Sequence, residues 1–237
     1  MAKATLKSVY SLVVFFSLVP FINAEETINL GAASDFDFFY LAMQWPPATC
    51  SGHPPAQCKQ RISNFTLHGL WPAKNVGPSP TYCNSVPFDN GKLTKAVIND
   101  LSTCWPDLLR GDNTNFWSRE WQKHGTCSGL KLADYFKNSI NLVKGINILK
   151  TLDNAGIRPD NKNYRIVDIK KAVKIAQNKQ PLQLEPSIKC NVNTKGEIQL
   201  HEIRLCVNKA GKQFEKFQRS TDIGCGCSQP KIKFPSA

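Results

Sequence analysis

The chain has 237 residues, with 30 lysines and arginines against 18 aspartates and glutamates, and a formal net charge of +12. Hydrophobic residues make up 41% and charged residues 20%, which excludes a disordered polyelectrolyte and a polytopic membrane protein and suits one sizeable domain. The positive balance favours polyanions as partners: nucleic acid, anionic polysaccharide or an acidic membrane surface.

The first residues read as an export signal. Lys3 and Lys7 give a positive start, an apolar run follows from Val9 to Ile22, and Ala24 is a small residue before a cut. The run is short for a membrane span and acidic Glu25 and Glu26 follow it, so residues 1–24 are predicted to be removed, leaving one domain over 25–237. No later stretch is apolar enough to cross a bilayer, and no membrane partner is expected.

The segment FDFFYLAMQW, Phe36 to Trp45, predicts a buried strand ended by Pro46 and Pro47. A loop is expected from Thr49 to Ser63. Asn64-Phe65-Thr66 is an N-glycosylation sequon, so Asn64 is a candidate glycan site. SNFTLHGLWP predicts a second strand that opens at Gly69, with His68 near its end. TKAVINDLSTCW has Val97, Leu101 and Trp105 at helical spacing, and LADYFKNSINLVKGI and IVDIKKAVKIAQ are further predicted helices. SIKCNV and EIQLHEIRLCV flank the turn signal Asn193-Thr194-Lys195-Gly196 and predict a hairpin. In its second strand the apolar alternation changes phase at His201-Glu202, which predicts a bulge. Helices with antiparallel strands in one domain give an α+β class.

Nine cysteines in an exported chain read as disulfides, and the odd count leaves at least one thiol free, intermolecular or capped. Cys225-Gly-Cys227 is too tight for paired zinc ligands and no Cys-x-x-Cys occurs, so neither a metal nor a cofactor is expected.

The chain has four histidines, and His68 and His124 share a setting: each precedes a glycine and lies among aromatics, in FTLHGLWP and FWSREWQKHGTC. A helix capped by Asn113, Thr114 or Asn115 and running to Gly125 would crowd Arg119, Glu120, Lys123 and His124 onto one broad face. Phe116, Trp117 and Trp121 would supply its packing. A base that titrates near neutrality, a carboxylate and two cations are the groups that phosphodiester chemistry needs. A solvated salt-bridge face is the bland alternative for the helix alone, and it weakens once the second histidine segment is counted.

FTLHGLWP and REWQKHGTC resemble the two active-site segments of the ribonuclease T2 family of secreted endoribonucleases. The likeness takes in FDFFYLAMQWPPATC, CWPDLLRG and the KFP ending, and so nearly all of the chain after the leader. It is to the plant members, the S-like ribonucleases and the pistil S-RNases of self-incompatibility. It implies a disulfide-stabilised α+β domain with an antiparallel sheet packed against several helices. It implies a monomer that cuts single-stranded RNA, without a metal, to a 2′,3′-cyclic phosphate and then a 3′-phosphate, and leaves DNA uncut.

By the same resemblance His68 is the general acid and His124 the general base, while Glu120 and Lys123 steady the pentacovalent phosphate. Gln44, Leu109 and Phe116 match base-lining positions. Trp71 packs under the substrate or braces His68, bracing being favoured. Many relatives carry a histidine where Arg119 stands; arginine can bind phosphate but cannot shuttle a proton. That departure keeps open a catalytically weak RNA-binding or storage homologue. Asp107 stands where some relatives carry asparagine.

The resemblance also pairs Cys50 with Cys58 and Cys83 with Cys127. It favours Cys190 with Cys227 and Cys206 with Cys225, which leaves Cys104 as the odd thiol. His53 and His201 match no motif. The basic charge and the Asn64 sequon lean toward a pistil S-RNase, which would imply a pollen F-box protein as partner. An S-like enzyme for phosphate recovery or defence is the alternative.

Overall fold

The computed structural model describes residues 35–54, 57–177, 180–184, 186–216 and 227–237, together with Met1. The predicted export signal and Cys225 lie outside these residues. The described elements form the expected α+β domain.

Strand β1 (Phe38–Gln44) pairs antiparallel on one side with β2 (Thr66–Ala73) and on the other with β7 (Ile198–Val207). β6 (Ser187–Val192) forms the predicted hairpin with β7, and Gly196 takes the positive φ of 81° that its turn requires. The sheet order is β2-β1-β7-β8-β3, with β3 spanning Asn163–Arg165 and β8 Lys231–Lys233. A separate small hairpin joins β4 (Lys174–Gln177) and β5 (Gln180–Gln183).

The helices are α1 (Pro46–Ser51), α2 (Lys95–Cys104), α3 (Asn113–Lys123), α4 (Leu132–Lys144), α5 (Ile148–Asn154) and α6 (Ile166–Ala172). Helix α2 is N-capped by Thr94, whose side chain accepts from Val97 N. The prolines after Trp45 end β1 as expected, but they also open α1, because proline fits the first turn of a helix.

Alternation along β1 sends Phe39, Leu41 and Met43 into the main core, where they meet Leu67, Leu70, Ile203 and Leu205. The helices add Trp105, Trp117, Trp121, Tyr135 and Phe136 to that core. The opposite face of β1 presents Tyr40, Ala42 and Gln44.

Three local expectations need correcting. Strand β2 does not open at Gly69 but runs on to Ala73. The predicted helix from Ile166 to Gln177 stops at Ala172, and Lys174–Gln177 instead pairs with Gln180–Gln183. Cross-strand pairing there overrides a helical pattern that Val173 and Ile175, stiff at χ1, support poorly. The cap of α3 is Asp112, one residue before the predicted candidates; its side chain accepts from Asn115 N.

Disulfides join Cys50–Cys58, Cys83–Cys127 and Cys190–Cys227. The favoured Cys206–Cys225 pairing falls on Cys225, outside the described residues; among those described, Cys206 is a buried free thiol and Cys104 a half-buried one. The Cys206 Sγ lies 4.0 Å from a Glu215 carboxylate oxygen, and burial, with that carboxylate, pushes the thiol up to about 12.

Candidate active site

The pairing of β1 with β2 steps from Ala42↔Gly69 to Met43↔Leu67, leaving His68 as the unpaired residue of a bulge. A bulge re-aims a side chain and breaks the ladder at one carbonyl. That carbonyl is not orphaned: Trp105 Nε1 donates to His68 O at 2.8 Å, and Trp117 Nε1 donates to Trp105 O at 2.8 Å. Two tryptophans thus tie the backbone of His68 to α3.

The second segment is held as firmly. Helix α3 ends with His124 as its C-cap, and a 3₁₀ turn follows over Gly125–Cys127. The Cys83–Cys127 bridge anchors that turn, Tyr82 N donates to Lys123 O at 2.9 Å, and Asn84 Nδ2 donates to Thr126 O at 3.0 Å.

Trp71 brings the two segments together. Its ring centroid is 5.1 Å from that of His68, edge to face, and 5.2 Å from that of His124, stacked. Its Nε1 donates to Glu120 Oε2 at 2.8 Å. The one indole thus touches both imidazoles and the carboxylate.

Each glycine after a histidine has a steric reason. A Cβ on Gly69 would stand 2.0 Å from Trp71 Nε1 and 2.3 Å from Glu120 Oε2. One on Gly125 would stand 2.2 Å from Trp121 Cε3. A side chain at Gly69 would push Trp71 out of the site, and one at Gly125 would displace Trp121 from the core.

The imidazoles sit in opposite electrostatic settings. His124 is buried, its Nδ1 has no hydrogen-bond partner among the described residues, and burial, with nearby Lys123 and the other cations, lowers it to about 3. It rests neutral, with Nε2 left to exchange a proton. At His68 burial also opposes the charge, but the hydrogen bond and charge of Glu202 outweigh it, aided by Glu120, and the pKa rises. Burial raises the pKa of Glu120, against the pull of His68, Trp71 and Lys123.

Phe116 is drawn in as well, its ring 6.1 Å from that of His68. Lys123 is exposed on α3, beside Glu120 and His124. Arg119 lies differently from expectation. Rather than crowding Lys123, its guanidinium carbon sits 5.8 Å over the Phe116 ring, with NH1 on Asn115 Oδ1 at 3.1 Å and NH2 3.9 Å from Asp107 Oδ2. Leu109 is half-buried on the neighbouring loop, which Asp107 caps by accepting from Leu109 N and Arg110 N.

Gln44 is not presented as a free base-binding group. It is 4% exposed, its Nε2 donates to Leu67 O at 3.4 Å and its Oε1 accepts from Thr49 Oγ1 at 3.2 Å. These contacts engage one amide hydrogen and one lone pair, on the face of β1 that also carries Ala42. Asn64 is exposed. His53 Nδ1 donates to Thr49 O at 2.8 Å, and His201 Nε2 shares a hydrogen bond with Thr49 Oγ1 at 3.2 Å; both lie outside the cluster.

Two members were missed from sequence: Glu202 and Arg204 on β7. Glu202 is buried against His68, and Arg204 lies 4.7 Å over the Trp71 ring. The phase change at His201-Glu202 was their one local signal. The bulge is real, with His201 as the extra residue between Glu202↔Lys189 and Leu200↔Cys190.

The arrangement offers two imidazoles on either side of an indole, one biased toward its charged form and one toward its neutral form, with a carboxylate and cations beside them. A model of the ribonuclease T2 family matches residues 36–222. Extracellular ribonuclease LE of Solanum lycopersicum is 35% identical over 223 residues, covering 87% of this chain and 90% of its own. Ribonuclease S-4 of Pyrus pyrifolia is 32% identical, covering 94% of this chain and 92% of its own. Among solved structures, RNase NT in complex with 5′-AMP superposes with a TM-score of 0.73 at 35% identity, over 86% of this chain and 100% of its own.

Proposed function

The chain is an endoribonuclease of the ribonuclease T2 family, and we propose that it cleaves single-stranded RNA by general acid–base transphosphorylation with His68 and His124 as the pair. The observation that carries this reading is the pair of imidazoles flanking Trp71, one biased toward its charged form and the other toward its neutral form. Two titrating groups pushed apart by their surroundings take the acid and base roles.

Neutral His124 removes the proton from the ribose 2′-hydroxyl. The 2′-oxygen attacks the adjacent phosphorus, and charged His68 delivers its Nε2 proton to the departing 5′-oxygen. The P–O5′ bond breaks as the new P–O2′ bond closes the 2′,3′-cyclic phosphate. In hydrolysis the roles reverse: His68 activates water and His124 returns a proton to the 2′-oxygen, giving a 3′-phosphate. Glu120 and Lys123 sit beside the base and stabilise the phosphorane that forms between the imidazoles. Arg119 offers a fixed cation to a flanking phosphate, and Phe116, Leu109 and Trp71 offer surfaces to bases. Because the 2′-hydroxyl is the nucleophile, DNA is not a substrate. Residues 1–24 serve as the export signal and Asn64 as the glycan site, so the enzyme acts outside the cell; the family resemblance favours a monomer.

The biological setting we propose is the pistil, with an F-box protein of pollen as partner. The strong positive charge and the sequon just before β2 support it. Transcript in styles rather than leaves and roots is the expected result; a vegetative, phosphate-induced transcript would move the chain to the S-like group.

The enzymatic reading is tested with purified protein in EDTA. RNA should be cut with transient cyclic-phosphate ends, and a 2′-deoxy substrate left intact. His68→Ala and His124→Ala should each lower turnover by about two orders of magnitude or more with the fold kept. A folded variant with near-normal turnover removes that residue from its role.

A further inference from the structure

His68 and Glu202 are 134 positions apart in sequence and two strands apart in the sheet, yet His68 Nδ1 and Glu202 Oε1 are 2.5 Å apart. The register explains the reach. Glu202 pairs with Gln44 and Arg204 with Ala42, so both charged side chains rise from the face of β1 that carries Ala42. His68 bulges from β2 at the same level, between the partners of Ala42 and Met43. Ala42 has only a methyl group there, and the imidazole crosses β1 without obstruction.

Glu202 is itself fixed. Its side chain is 3% exposed, and the Arg204 fork grips its second oxygen, with Nε at 2.9 Å and NH2 at 2.8 Å. A paired guanidinium makes burial of the carboxylate tolerable, and with Arg204 on Oε2 and His68 on Oε1 both oxygens are held. Arg204 is held in turn by the Trp71 ring at 4.7 Å. The contact is thus a chain, Trp71–Arg204–Glu202–His68, that ends on the same indole that stacks on His124.

We propose that Glu202, oriented by Arg204, is the positioning residue of His68: it fixes the tautomer by accepting from Nδ1, aims Nε2 at the cleft and keeps the ring protonated for its acid step. This rests on the acid role assigned to His68 above. Glu202 gives and takes no proton in the reaction. The imidazolium releases its Nε2 proton to the 5′-oxygen while the Nδ1 proton stays on the ring, hydrogen-bonded to the carboxylate, as in the buried carboxylate–histidine pairs of hydrolases. The other groups coupled to the charge on His68 are Glu120 of α3, which favours it, and Arg204, which opposes it. His124 and His201 are coupled to it in turn. Among the described residues, Glu202 alone combines a hydrogen bond with an opposite charge.

The test is Glu202→Gln, which keeps the volume and an acceptor and removes the charge. NMR titration of the His68 ring should move to lower pH in the variant. The basic limb of kcat/KM should move with it, and kcat should fall about tenfold or more while KM stays within about twofold. Glu202→Asp, which restores the charge, should recover part of the shift. A folded Glu202→Gln protein whose His68 titration and basic limb both match the wild type overturns the proposal. So does a wild-type His68 titrating below the ordinary value of about 6.5, a measurement that needs no variant. The acid role stands or falls separately. If His68→Ala is inactive and Glu202→Gln moves nothing, only the positioning proposal fails. If the His68 titration moves but the basic limb does not, the contact stands and the acid role fails.

Discussion

Trp71 and Glu120 meet through one hydrogen bond, indole Nε1 to carboxylate Oε2 at 2.8 Å, and this bond joins β2 to α3 at the point where both histidine segments converge. The same indole stacks on His124. Removing the donor while keeping an aromatic ring separates these duties. Trp71→Phe should fold, with a loss of about 1–3 kcal/mol for the buried oxygen left unpaired, and should raise the pKa of Glu120 further. Trp71→Leu should lose the stack too and lower kcat more than Phe does. Urea unfolding and single-turnover rates measure both. Equal kcat in all three proteins would remove the indole from the site.

Gly69 and Gly125 should reject even a methyl group. The positions that a Cβ would take, 2.0 Å from Trp71 Nε1 and 2.2 Å from Trp121 Cε3, demand that an indole move. Gly69→Ala and Gly125→Ala should each cost about 1–3 kcal/mol as overpacked sites, and Gly69→Ala should also depress turnover. Gly145→Ala is the control, because its nearest contact would be Leu142 O at 3.4 Å; it should stay within about 0.5 kcal/mol. A Gly69→Ala protein as stable as the control would contradict the packing described for Trp71.

Buried, neutral His124 should make the fold sensitive to mild acid. In the unfolded chain it takes a proton below about 6.5, whereas in the fold it resists until about 3. Between those values the unfolded state binds more protons, so stability falls as the pH falls. His124→Gln removes this contribution. It should lose less stability than the wild type between pH 7 and pH 4.5, as read by urea unfolding at the two values. Parallel losses would show that His124 is protonated in the fold well above 3.

The pH–rate profile follows from the same two groups. The reaction needs His124 neutral and His68 charged. The acid limb should therefore lie below the ordinary histidine range and the basic limb above it, giving a broad plateau instead of a narrow bell. Both limbs within the ordinary range would mean that the two settings are less distinct than their burial and partners indicate.

Arg119 should act as a fixed cation. Its side chain is 43% exposed, and Asp107 Oδ2 at 3.9 Å only partly offsets its charge. Arg119→Ala should weaken binding of a short oligonucleotide and reduce the slope of log K against log salt by about 0.7, the value for one phosphate contact on a single strand. Both limbs of the pH–rate profile should stay in place, since arginine does not titrate there. Arg119→His should keep cleavage and add a pH-dependent term to binding. An unchanged salt slope would make the arginine a surface charge.

Local pattern carried a good part of this protein. The alternation in FDFFYLAMQW, the turn at Asn193–Gly196 and the phase change at His201-Glu202 are short-range signals, and β1, the β6–β7 hairpin and its bulge lie where they point. The same holds for the face of α3 with Glu120 and His124 four apart, because helical geometry sets that spacing without help from the rest of the chain.

Tertiary structure decided what local pattern does not encode. The turn of Arg119 toward Phe116 and Asp107, and the inward use of Gln44 by Thr49 and Leu67, depend on side chains that arrive from other elements. The protonation bias of the two imidazoles depends on burial, which is a property of the assembled core. Glu202 reaches His68 only because β7 lies next to β1 and because Ala42 leaves the sheet face open between them. A chain can write a histidine, a bulge or a glycine at one place. Which carboxylate stands against that histidine is settled only when strands 134 residues apart take their register.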